Sequence, residues 1–368
     1  MMYKIGEVFT LIRNGANIKQ GEDDTGYPIT RIETISNRVV DRNKMGYAGI
    51  HEIGRYSDYI LEDGDILMSH INSETHLGKV ALYEEIPGET IIHGMNLLCL
   101  RPNRSILNCR YAFYSLMSDG FLRQIPRIMK KSVNQASFTV TALKELQIHV
   151  PPMEQQLQIV SVMDRIQSLL LQRQKQAAVI DQLVKSRFIE LFGEPLSNQK
   201  GWQTMSIVEA APIKSQRGNL ADEVWLLNLD AVEAQTGTVL FKHRVQSGEI
   251  NASTVYFTAE SVLYSKLRPY LNKVVMPDED GVATSEMIPM CPLADRLNRA
   301  YLCYWLRSDA FVRHISEKVA GAKMPRVSMD YFRSLAIEMP PLELQEQFAA
   351  FVEQTDKSKL CGKMEVAA

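Results

Sequence analysis

The sequence PPMEQQLQIVSVMDRIQSLLLQRQKQAAVIDQLVKSRFIELF spans residues 151–192 and predicts one long α-helix. Neither glycine nor proline occurs between Met153 and Phe192, and glutamine, leucine and valine dominate this stretch. A Pro-Pro pair ends the segment before the helix, and Gly193 ends the helix itself. A helix of about 40 residues is about 60 Å long at 1.5 Å per residue, which suits a spacer between two bodies.

Apolar residues recur along this predicted helix at intervals of three and four residues, the pattern of a coiled-coil seam. Among the seam positions, only Arg173 and Arg187 are polar. The residues predicted to pair with a second helix are Ile159, Met163, Ile166, Leu170, Ala177, Ile180, Val184 and Leu191. The seam therefore predicts that this helix needs a partner helix.

The chain contains a tandem duplication, because several segments recur after about 190 residues. The clearest pair is PPMEQQLQIVSVMD (151–164) and PPLELQEQFAAFVE (340–353), which are 189 residues apart. The other pairs are LKELQIHVPP (143–152) with FRSLAIEMPP (332–341), YAFYSLMSDGFLRQI (111–125) with YLCYWLRSDAFVRHI (301–315), and GDILMS (64–69) with ESVLYS (260–265). A period of this length indicates two copies of one domain and excludes a solenoid.

Each copy combines strand-like and helix-like patterns. Residues 26–100 and 222–291 contain short alternating apolar runs separated by Gly and Asp, which predicts strands and turns. Residues 111–127 and 301–319 have the apolar spacing of amphipathic helices. The predicted fold class is α+β, with two tandem pseudo-repeat domains separated by long coiled-coil spacer helices.

The predicted domain bounds follow from these patterns. They are 1–150 for the first domain, 151–195 for the spacer helix, 196–339 for the second domain and 340–368 for a second spacer helix. The second helix is predicted to be truncated, because its match to the first fades near Lys359 and Gly362 occupies a helix-interior position.

Composition excludes several classes of protein. The 368 residues are 45% hydrophobic and 23% charged, as in soluble globular proteins. No run of 18 apolar residues occurs, and the first residues do not resemble a signal peptide, so no membrane contact is expected. The five cysteines, which form no CxxC pair, predict a reducing cytoplasm and neither a zinc site nor a disulfide framework.

Charge is neutral overall but uneven along the chain. The net charge is −2, yet residues 101–131 contain seven basic residues and one acid, Asp119. Residues 299–326 contain six basic residues with Asp309 and Glu317. Such local basic segments fit a protein that binds phosphate on limited faces, and they equally fit solvated helix faces.

No catalytic motif occurs in a suitable context. The chain has no phosphate-binding GxxxxGK(S/T) loop, no GxGxxG and no GxSxG. The adenine-methyltransferase motif (N/D)PP(Y/F) is also absent, because the two Pro-Pro pairs follow Val150 and Met339. The acidic run EDGD at 62–65 indicates a turn before a strand. The sequence therefore predicts that the chain is not an enzyme.

The chain resembles the specificity subunit of type I restriction–modification enzymes. That family has two globular units, each followed by a motif like the PP(M/L)E seen here and by a long Gln-rich helix. IELFGEPLSNQKGW (189–202) resembles the family's exit from the first helix, and VLYSKLRPYLNKV (262–274) and DILMSHI (65–71) with GKVAL (78–82) resemble its strand-turn elements. The likeness covers nearly all of residues 4–359.

The resemblance implies that residues 1–150 and 196–339 are target-recognition domains, each of which recognises one half of a bipartite, asymmetric site in double-stranded DNA. It implies that the helices pair antiparallel, set the separation of the half-sites and dock two methyltransferase subunits. This chain would bind no cofactor. S-adenosylmethionine would belong to the methyltransferase subunits, and ATP and magnesium to restriction subunits that translocate and cleave DNA. A shortened second helix departs from the family pattern and would alter the spacing or the docking.

Candidate DNA contacts are polar side chains in loops that could reach base edges or phosphates. In the first copy they are Ser69, His70, Asn72, Lys79, Arg127, Lys130, Lys131, Asn134 and Gln135. In the second copy they are Lys266, Arg268, Tyr270, Asn272 and Lys273 in SKLRPYLNK, and Lys323 and Arg326, which correspond in the repeat to the KKSVNQ segment. Ser215 and Arg217 are weaker candidates from the same comparison of the copies.

Other interpretations remain open at this stage. The candidate loops could simply be solvated, and Tyr270 could belong to a strand edge with its ring in the core. The chain could be a protein-binding scaffold whose functional surface is the coiled coil. It could also be a nuclease or methyltransferase whose site has an unfamiliar spacing.

Overall fold

The computed structural model describes residues 1–368 except 19–24, 48, 133–134, 216–221, 251–252, 321–323 and 368, and only the backbone of 320 and 358–367. The chain divides into two compact units, Met1–Leu169 and Leu170–Ala368. The division falls inside one long helix, Met153–Phe192. The helix therefore contributes its first part to unit 1 and its second part to unit 2.

Unit 1 contains short strands and helices ahead of this long helix. Its strands are β1 Met2–Lys4, β2 Phe9–Asn14, β3 Pro28–Ile29, β4 Gly46–Tyr47, β5 Ile66–Ser69, β6 Ile71–Asn72, β7 Val80–Leu82, β8 Leu97–Pro102, β9 Lys130–Lys131, β10 Ala136–Ser137 and β11 Gln147–His149. Its helices are α1 Ile5–Val8, α2 Cys109–Met117, α3 Asp119–Leu122, α4 Ile125–Ile128, α5 Val140–Lys144 and the start of α6 Met153–Phe192. Short 3-10 helices lie at Ile32–Ile35, Arg42–Lys44, Gly54–Tyr59 and Glu74–His76.

Unit 2 has a similar set of elements. Its strands are β12 Gln203–Ser206, β13 Glu223–Leu227, β14 His243–Gln246, β15 Thr254–Phe257, β16 Val262–Ser265, β17 Val274–Val275, β18 Gly281–Thr284, β19 Met287–Met290, β20 Val319–Ala320, β21 Arg326–Val327 and β22 Ala336–Met339. Its helices are the end of α6, α7 Ile207–Ala210, α8 Arg299–Arg307, α9 Asp309–Ser316, α10 Met329–Arg333 and α11 Leu342–Ala367. Its 3-10 helices are Leu229–Ala231, Ser247–Glu249 and Pro269–Leu271.

The two units have the same strand topology. In unit 1 the antiparallel order is β2-β8-β5-β7, and in unit 2 the corresponding order is β19-β16-β17 with a bridge from Ile213 to Met290 in place of β2. Unit 2 also has the mixed sheet β14-β13-β18-β15. Unit 1 forms the same arrangement as a β3-β4 pair with bridges from Ile29 and Ile60 to Ile92. The topology therefore confirms the duplication that the sequence predicts.

Equivalent hydrogen bonds repeat at the edge from which each long helix departs. The first strand of each unit pairs with its last strand, β1 with β11 and β12 with β22. The Tyr111 hydroxyl donates to the His149 carbonyl at 2.8 Å, and the Tyr301 hydroxyl donates to the Glu338 carbonyl at 2.9 Å. Asn108 caps α2, and Asn298 caps α8 in the same way. The copies therefore keep the same contacts as well as the same topology.

Helix α6 spans Met153–Phe192 and lies within the range 151–195 that the sequence predicts for the spacer helix. Gly193 follows with φ of +83°, a left-handed C-terminal cap that glycine adopts without strain, and its N–H donates to the Ile189 carbonyl at 2.8 Å. The backbone of α11 is helical over 26 residues and continues through Gly362, so this glycine does not end the helix. Tertiary packing and neighbouring helix formers can offset the propensity cost of a single glycine.

The amphipathic helix predicted at 111–127 is interrupted, and so is the one predicted at 301–319. Ser118 is extended, and its side chain accepts a hydrogen bond from the Phe121 N–H, which starts α3. Ser308 does the same for α9 through Phe311. Serine favours such caps over helix interiors, so apolar spacing alone does not locate these breaks.

Candidate nucleic-acid interface

In unit 1, the segment after β5 lies against the hairpin formed by β9 and β10. Strand β10 pairs antiparallel with β6 on one side and with β9 on the other, which places Ala136 opposite both Asn72 and Lys131. The structure thus brings together two stretches that are far apart in sequence and that were both selected as candidates. We call the exposed or half-exposed side chains here the first basic edge, which consists of Asn72, Lys79, Arg127, Lys130, Lys131 and Gln135.

Lys130 and Lys131 of the first basic edge point in different directions, because consecutive residues of a strand face opposite sides. The Lys131 ammonium lies 2.9 Å from the Glu74 carboxylate, with side chains 63% and 52% exposed. An exposed ion pair of this kind contributes about 1 kcal/mol at most, so a phosphate could replace it. Lys130 is exposed and forms no ion pair within the described residues.

Two candidates of unit 1 are buried. Ser69 and His70 have almost no accessible surface, because the strand β5 and the residue after it are covered on both faces. The His70 ring lies edge-on to Phe138, with centroids 6.3 Å apart. Burial lowers the pKa of His70 to about 4, so that the ring is neutral at pH 7. This burial argues against direct DNA contact by either residue and corrects the expectation from sequence.

The hairpin tip also contains candidates. Ser132 closes the turn by donating from its N–H and its hydroxyl to the Gln135 carbonyl, each at 2.8 Å. Gln135 is exposed beside it. Asn134, the remaining candidate of this loop, lies outside the described residues.

Unit 2 places its candidates in the same arrangement. Leu267, just after β16, forms a bridge with Arg326 of β21, and the Arg268 N–H donates to the Pro325 carbonyl at 2.8 Å. We call the side chains of Lys266, Arg268, Tyr270 and Arg326 the second basic edge. The Arg326 guanidinium pairs with both carboxylate oxygens of Glu286 at 3.0–3.2 Å. Lys323 lies outside the described residues.

The loop that carries Tyr270 is strained and tightly held. Arg268 and Asn272 both have φ of 50°, a left-handed conformation that costs most L-residues about 1–2 kcal/mol. Gln235 holds the loop with two bonds, from its backbone N–H to the Leu271 carbonyl and from its amide to the Tyr270 carbonyl, each 2.9 Å. The Tyr270 side chain is 46% exposed, so the interpretation that its ring lies in the core is wrong. Strain of this kind is common at binding sites.

Three further candidates of unit 2 have structural contacts. Asn272 is buried, and its amide donates to the Arg307 carbonyl at 3.0 Å, so its role as a DNA contact is not supported. The Lys273 ammonium donates to the Leu229 carbonyl at 2.6 Å, and the Ser215 hydroxyl accepts from the Tyr256 N–H at 2.8 Å. Arg217 lies outside the described residues.

The predicted seam of α6 is covered only in its second half. Ile159, Met163, Ile166 and Leu170 are between 37% and 45% exposed. Ala177 and Ile180 are half-buried and line a cleft in unit 2, Val184 is fully buried, and Leu191 packs against the core. From Ala177 onward the predicted seam residues therefore contact unit 2, and their pairing with a second helix stays a prediction.

The aromatic residues that hold α6 in unit 2 were not predicted. Phe188 and Phe192 lie 5.0 Å apart by ring centroid and contact Tyr301 of α8 and Phe348 of α11 at 4.7–5.6 Å. Asp356, two turns after Phe348, lines the same cleft as Ala177, so α11 runs antiparallel to α6. Phe188 and Phe192 are four residues apart and therefore lie on one helix face, and this spacing is the sequence signal that indicates a shared contact.

Within the described residues, no cluster of three or more His, Cys, Asp and Glu side chains could hold a metal ion. None of the helices in the described part of the chain combines the length and the apolar character needed to cross a bilayer.

Two domains of one topology, each with a basic edge at the same place and a long helix at its exit, define a duplicated recognition protein. The sequence profile of the type I restriction modification DNA specificity domain matches residues 1–180 and 200–362. The chain therefore belongs to the family of type I restriction–modification specificity subunits, with two recognition domains, as the sequence predicts.

Individual relatives agree with this assignment. The putative type I restriction enzyme MjaX specificity subunit of Methanocaldococcus jannaschii is 30% identical over 369 residues, which cover 96% of this chain and 86% of the relative. The S subunit of a type I restriction–modification system from M. genitalium has a TM-score of 0.55 at 12% identity, covering 100% of this chain and 92% of that one. A chain from a study of assembly and conformational transition of the type I R-M system has a TM-score of 0.53 at 16% identity with the same coverage. The two structural likenesses support the fold.

Proposed function

We propose that this chain supplies sequence recognition to a type I restriction–modification complex and contributes no catalytic group. Each domain recognises one half of a bipartite, asymmetric target in double-stranded DNA through its basic edge. The helices set the separation of the half-sites and dock two methyltransferase subunits, which use S-adenosylmethionine. Restriction subunits supply translocation and cleavage with ATP and magnesium. The complex works in the cytoplasm.

The repeated basic edge carries this proposal. In both domains a strand buried on both faces leads into a segment paired with a hairpin, and cations flank that segment on the surface. One domain with such an edge could be explained by an ordinary solvated loop. Its recurrence at the equivalent place in a second domain favours a shared function, and cationic and amide side chains are the groups that contact phosphates and bases.

The exposed half of the α6 seam supports docking of the methyltransferase subunits. Four apolar side chains at helical spacing, from Ile159 to Leu170, are accessible on one helix. An apolar stripe of this kind is typical of a surface that pairs with another helix.

The acidic run at 62–65 has a structural role, which supports a non-catalytic chain. Asp65 is fully buried, and both of its carboxylate oxygens accept from the Arg101 guanidinium at 2.8 Å. One of these oxygens also accepts from the Glu62 N–H at 2.8 Å. With its oxygens bound in this way, Asp65 stabilises the turn into β5 and is not free to act as a general base or a metal ligand.

Methylome sequencing tests the proposed function directly. We expect cells that contain this chain and its methyltransferase subunit to methylate adenine in one two-part motif with a fixed gap. Cells that lack either protein should not methylate this motif. Methylation by the methyltransferase subunit alone, or by this chain alone with S-adenosylmethionine, would contradict the proposal.

Replacing Lys130 and Lys131 together by alanine is expected to weaken DNA binding and to flatten its dependence on salt. Because the two side chains point to opposite faces and Lys131 is paired with Glu74, we expect the loss of about one phosphate contact, or about 0.9 in the slope of log K against log salt. Fluorescence anisotropy titrations of the assembled complex at several salt concentrations measure this slope.

Lys144→Ala is the matched control for this experiment. Lys144 is exposed and lies beside Gly6, at the end of the domain from which α6 departs, whereas the hairpin lies at the Ser69 end of β5. The control should keep the wild-type slope. An unchanged slope in the double lysine variant would remove these residues from the interface.

A further inference from the structure

Each domain buries one glutamine in the first turn of its long helix. Gln156 of α6 has no accessible surface. Its amide nitrogen donates to the carbonyls of Ile106 and Pro151, each at 2.8 Å, and its oxygen accepts from the Asn108 N–H at 2.8 Å. The side chain therefore joins the helix to the loop that caps α2 and to the segment that enters the helix.

Gln345 of α11 makes the same three bonds in the second domain. It is also fully buried, and its amide nitrogen donates to the Pro340 carbonyl at 2.8 Å and to the Arg296 carbonyl at 3.1 Å. Its oxygen accepts from the Asn298 N–H at 2.8 Å. The two glutamines lie 189 residues apart, the offset of the Pro-Pro motifs.

Only a glutamine side chain satisfies these three partners. They are one donor and two acceptors, and a primary amide offers one acceptor oxygen and two N–H donors on a single planar group. A glutamate would place an oxygen against two carbonyls, and a methionine would leave three buried backbone groups without partners. Asparagine has the right group but is one methylene shorter.

A second attachment fixes the direction of α6 from the first domain. Asp164, two turns after Gln156, accepts from the Tyr114 hydroxyl at 2.6 Å and from the Arg110 guanidinium at 2.8 Å. Val160, between them, is buried in the core of unit 1. These three positions lie on one face of the helix, and Gln156 is the only one of them whose polar side chain is completely buried.

Because α6 is long, a small change in its angle at this attachment produces a large displacement of its far end. The helix contains no glycine or proline over its 40 residues. A rod of about 60 Å that tilts by about 3° at one end moves by about 3 Å at the other, close to the 3.4 Å rise of one base pair. The separation of two sites joined by such a helix therefore depends on a tilt of a few degrees at the attached end of the helix.

We propose that Gln156 is a positioning residue for target spacing, with Gln345 in the equivalent role for α11. Its amide holds the angle at which α6 leaves the first domain, and this angle limits recognition to one gap length between the half-sites. This role rests on the proposed function. It assigns no base contact to either glutamine.

The variant Gln156→Met tests the role, because it keeps the size of the side chain and removes the three hydrogen bonds. It is expressed in the full chain together with the methyltransferase subunit, and methylated sites are mapped across the genome. We expect both half-site sequences to be unchanged. Methylation at gaps one base pair shorter or longer should rise roughly tenfold relative to wild type, the scale of one buried hydrogen-bonded amide.

Ile35→Val is the matched control. Ile35 is buried in a separate core cluster of unit 1, so this change lowers stability without touching the α6 attachment. It should lower the melting temperature and leave the gap unchanged. If Gln156→Met does not accumulate as folded protein, Gln156→Asn replaces it, because this variant keeps the amide but cannot reach all three partners.

The outcomes separate this inference from the proposed function. A wild-type methylome without a two-part motif would overturn both. A wild-type two-part motif whose gap stays equally strict in the glutamine variants would overturn only the positioning role. Changed half-site bases in these variants would also overturn it, because the glutamines would then affect base recognition.

Discussion

Exchange of residues 1–150 for the first domain of another type I specificity subunit is expected to replace one half of the recognised sequence and to leave the other half intact. The physical reason is that each domain has its own core. The cluster around Leu98, Phe121 and Leu143 lies wholly in unit 1, and the cluster around Trp225 and Phe257 lies wholly in unit 2. Methylome sequencing of the chimaera measures both half-sites at once.

The join at residue 150 should be tolerated because the three partners of Gln156 are backbone groups. Gln156 bonds to the carbonyls of residues 106 and 151 and to the N–H of residue 108, none of which is a side chain. A chimaera with residues 196–339 exchanged is the reciprocal control and should change the opposite half-site. A change in both half-sites after either exchange would be incompatible with modular recognition.

Phe188→Ala is expected to lower the free energy of unfolding by about 3–5 kcal/mol, the range for removal of a buried aromatic ring. Phe188 is almost fully buried, and its ring contacts Phe192, Tyr301 and Phe348 with centroids 5.0–5.4 Å apart. Its loss would leave a cavity where α6, α8 and α11 meet. Urea unfolding followed by circular dichroism measures the change.

Ile189→Ala provides the comparison for this variant. Ile189 is the next residue of the same helix and is 50% exposed, so its truncation should cost about 1 kcal/mol at most. The two variants have similar helix propensity changes, and their difference isolates the packing of the ring. Equal losses of stability in the two variants would show that the aromatic cluster does not hold the helices together.

The long helix could be predicted to within a few residues because its signals are local. Forty residues without glycine or proline, preceded by a Pro-Pro pair and followed by Gly193, leave few alternatives to one uninterrupted helix. Apolar periodicity is less informative for short helices, since the breaks at Ser118 and Ser308 depend on single side-chain caps.

The sequence predicts which segments form the candidate interface, but it does not predict which of their side chains are exposed. The stretches after β5 and β16 and the two hairpins were all identified, and the structure brings them together in pairs. Burial of Ser69 and His70 could not be predicted, because a strand covered on both faces shows no alternation that distinguishes inward from outward positions. Burial of Asn272 could not be predicted because it depends on a contact with Arg307, 35 residues away.

In the first domain the contact face of α6 is displaced from the predicted seam, whereas in the second domain Val184 belongs to both. Apolar residues that alternate in spacing between three and four residues are typical of two helices that pair along their whole length. Here the first domain uses Gln156, Val160 and Asp164, and the second uses Val184, Phe188 and Phe192. Both sets have a four-residue interval, which matches packing on a globular domain more closely than a heptad does.

The pairing of β1 with β11 and of β12 with β22 means that each domain is entered and left at the same edge. The N–H of Val150 donates to the Met1 carbonyl at 2.8 Å, so the ends of the first domain are already adjacent. Circular permutation is favourable when old termini are close and new ones open in an exposed loop. The first domain, whose ends already meet, is therefore expected to tolerate circular permutation within itself, with the new ends opened in an exposed loop.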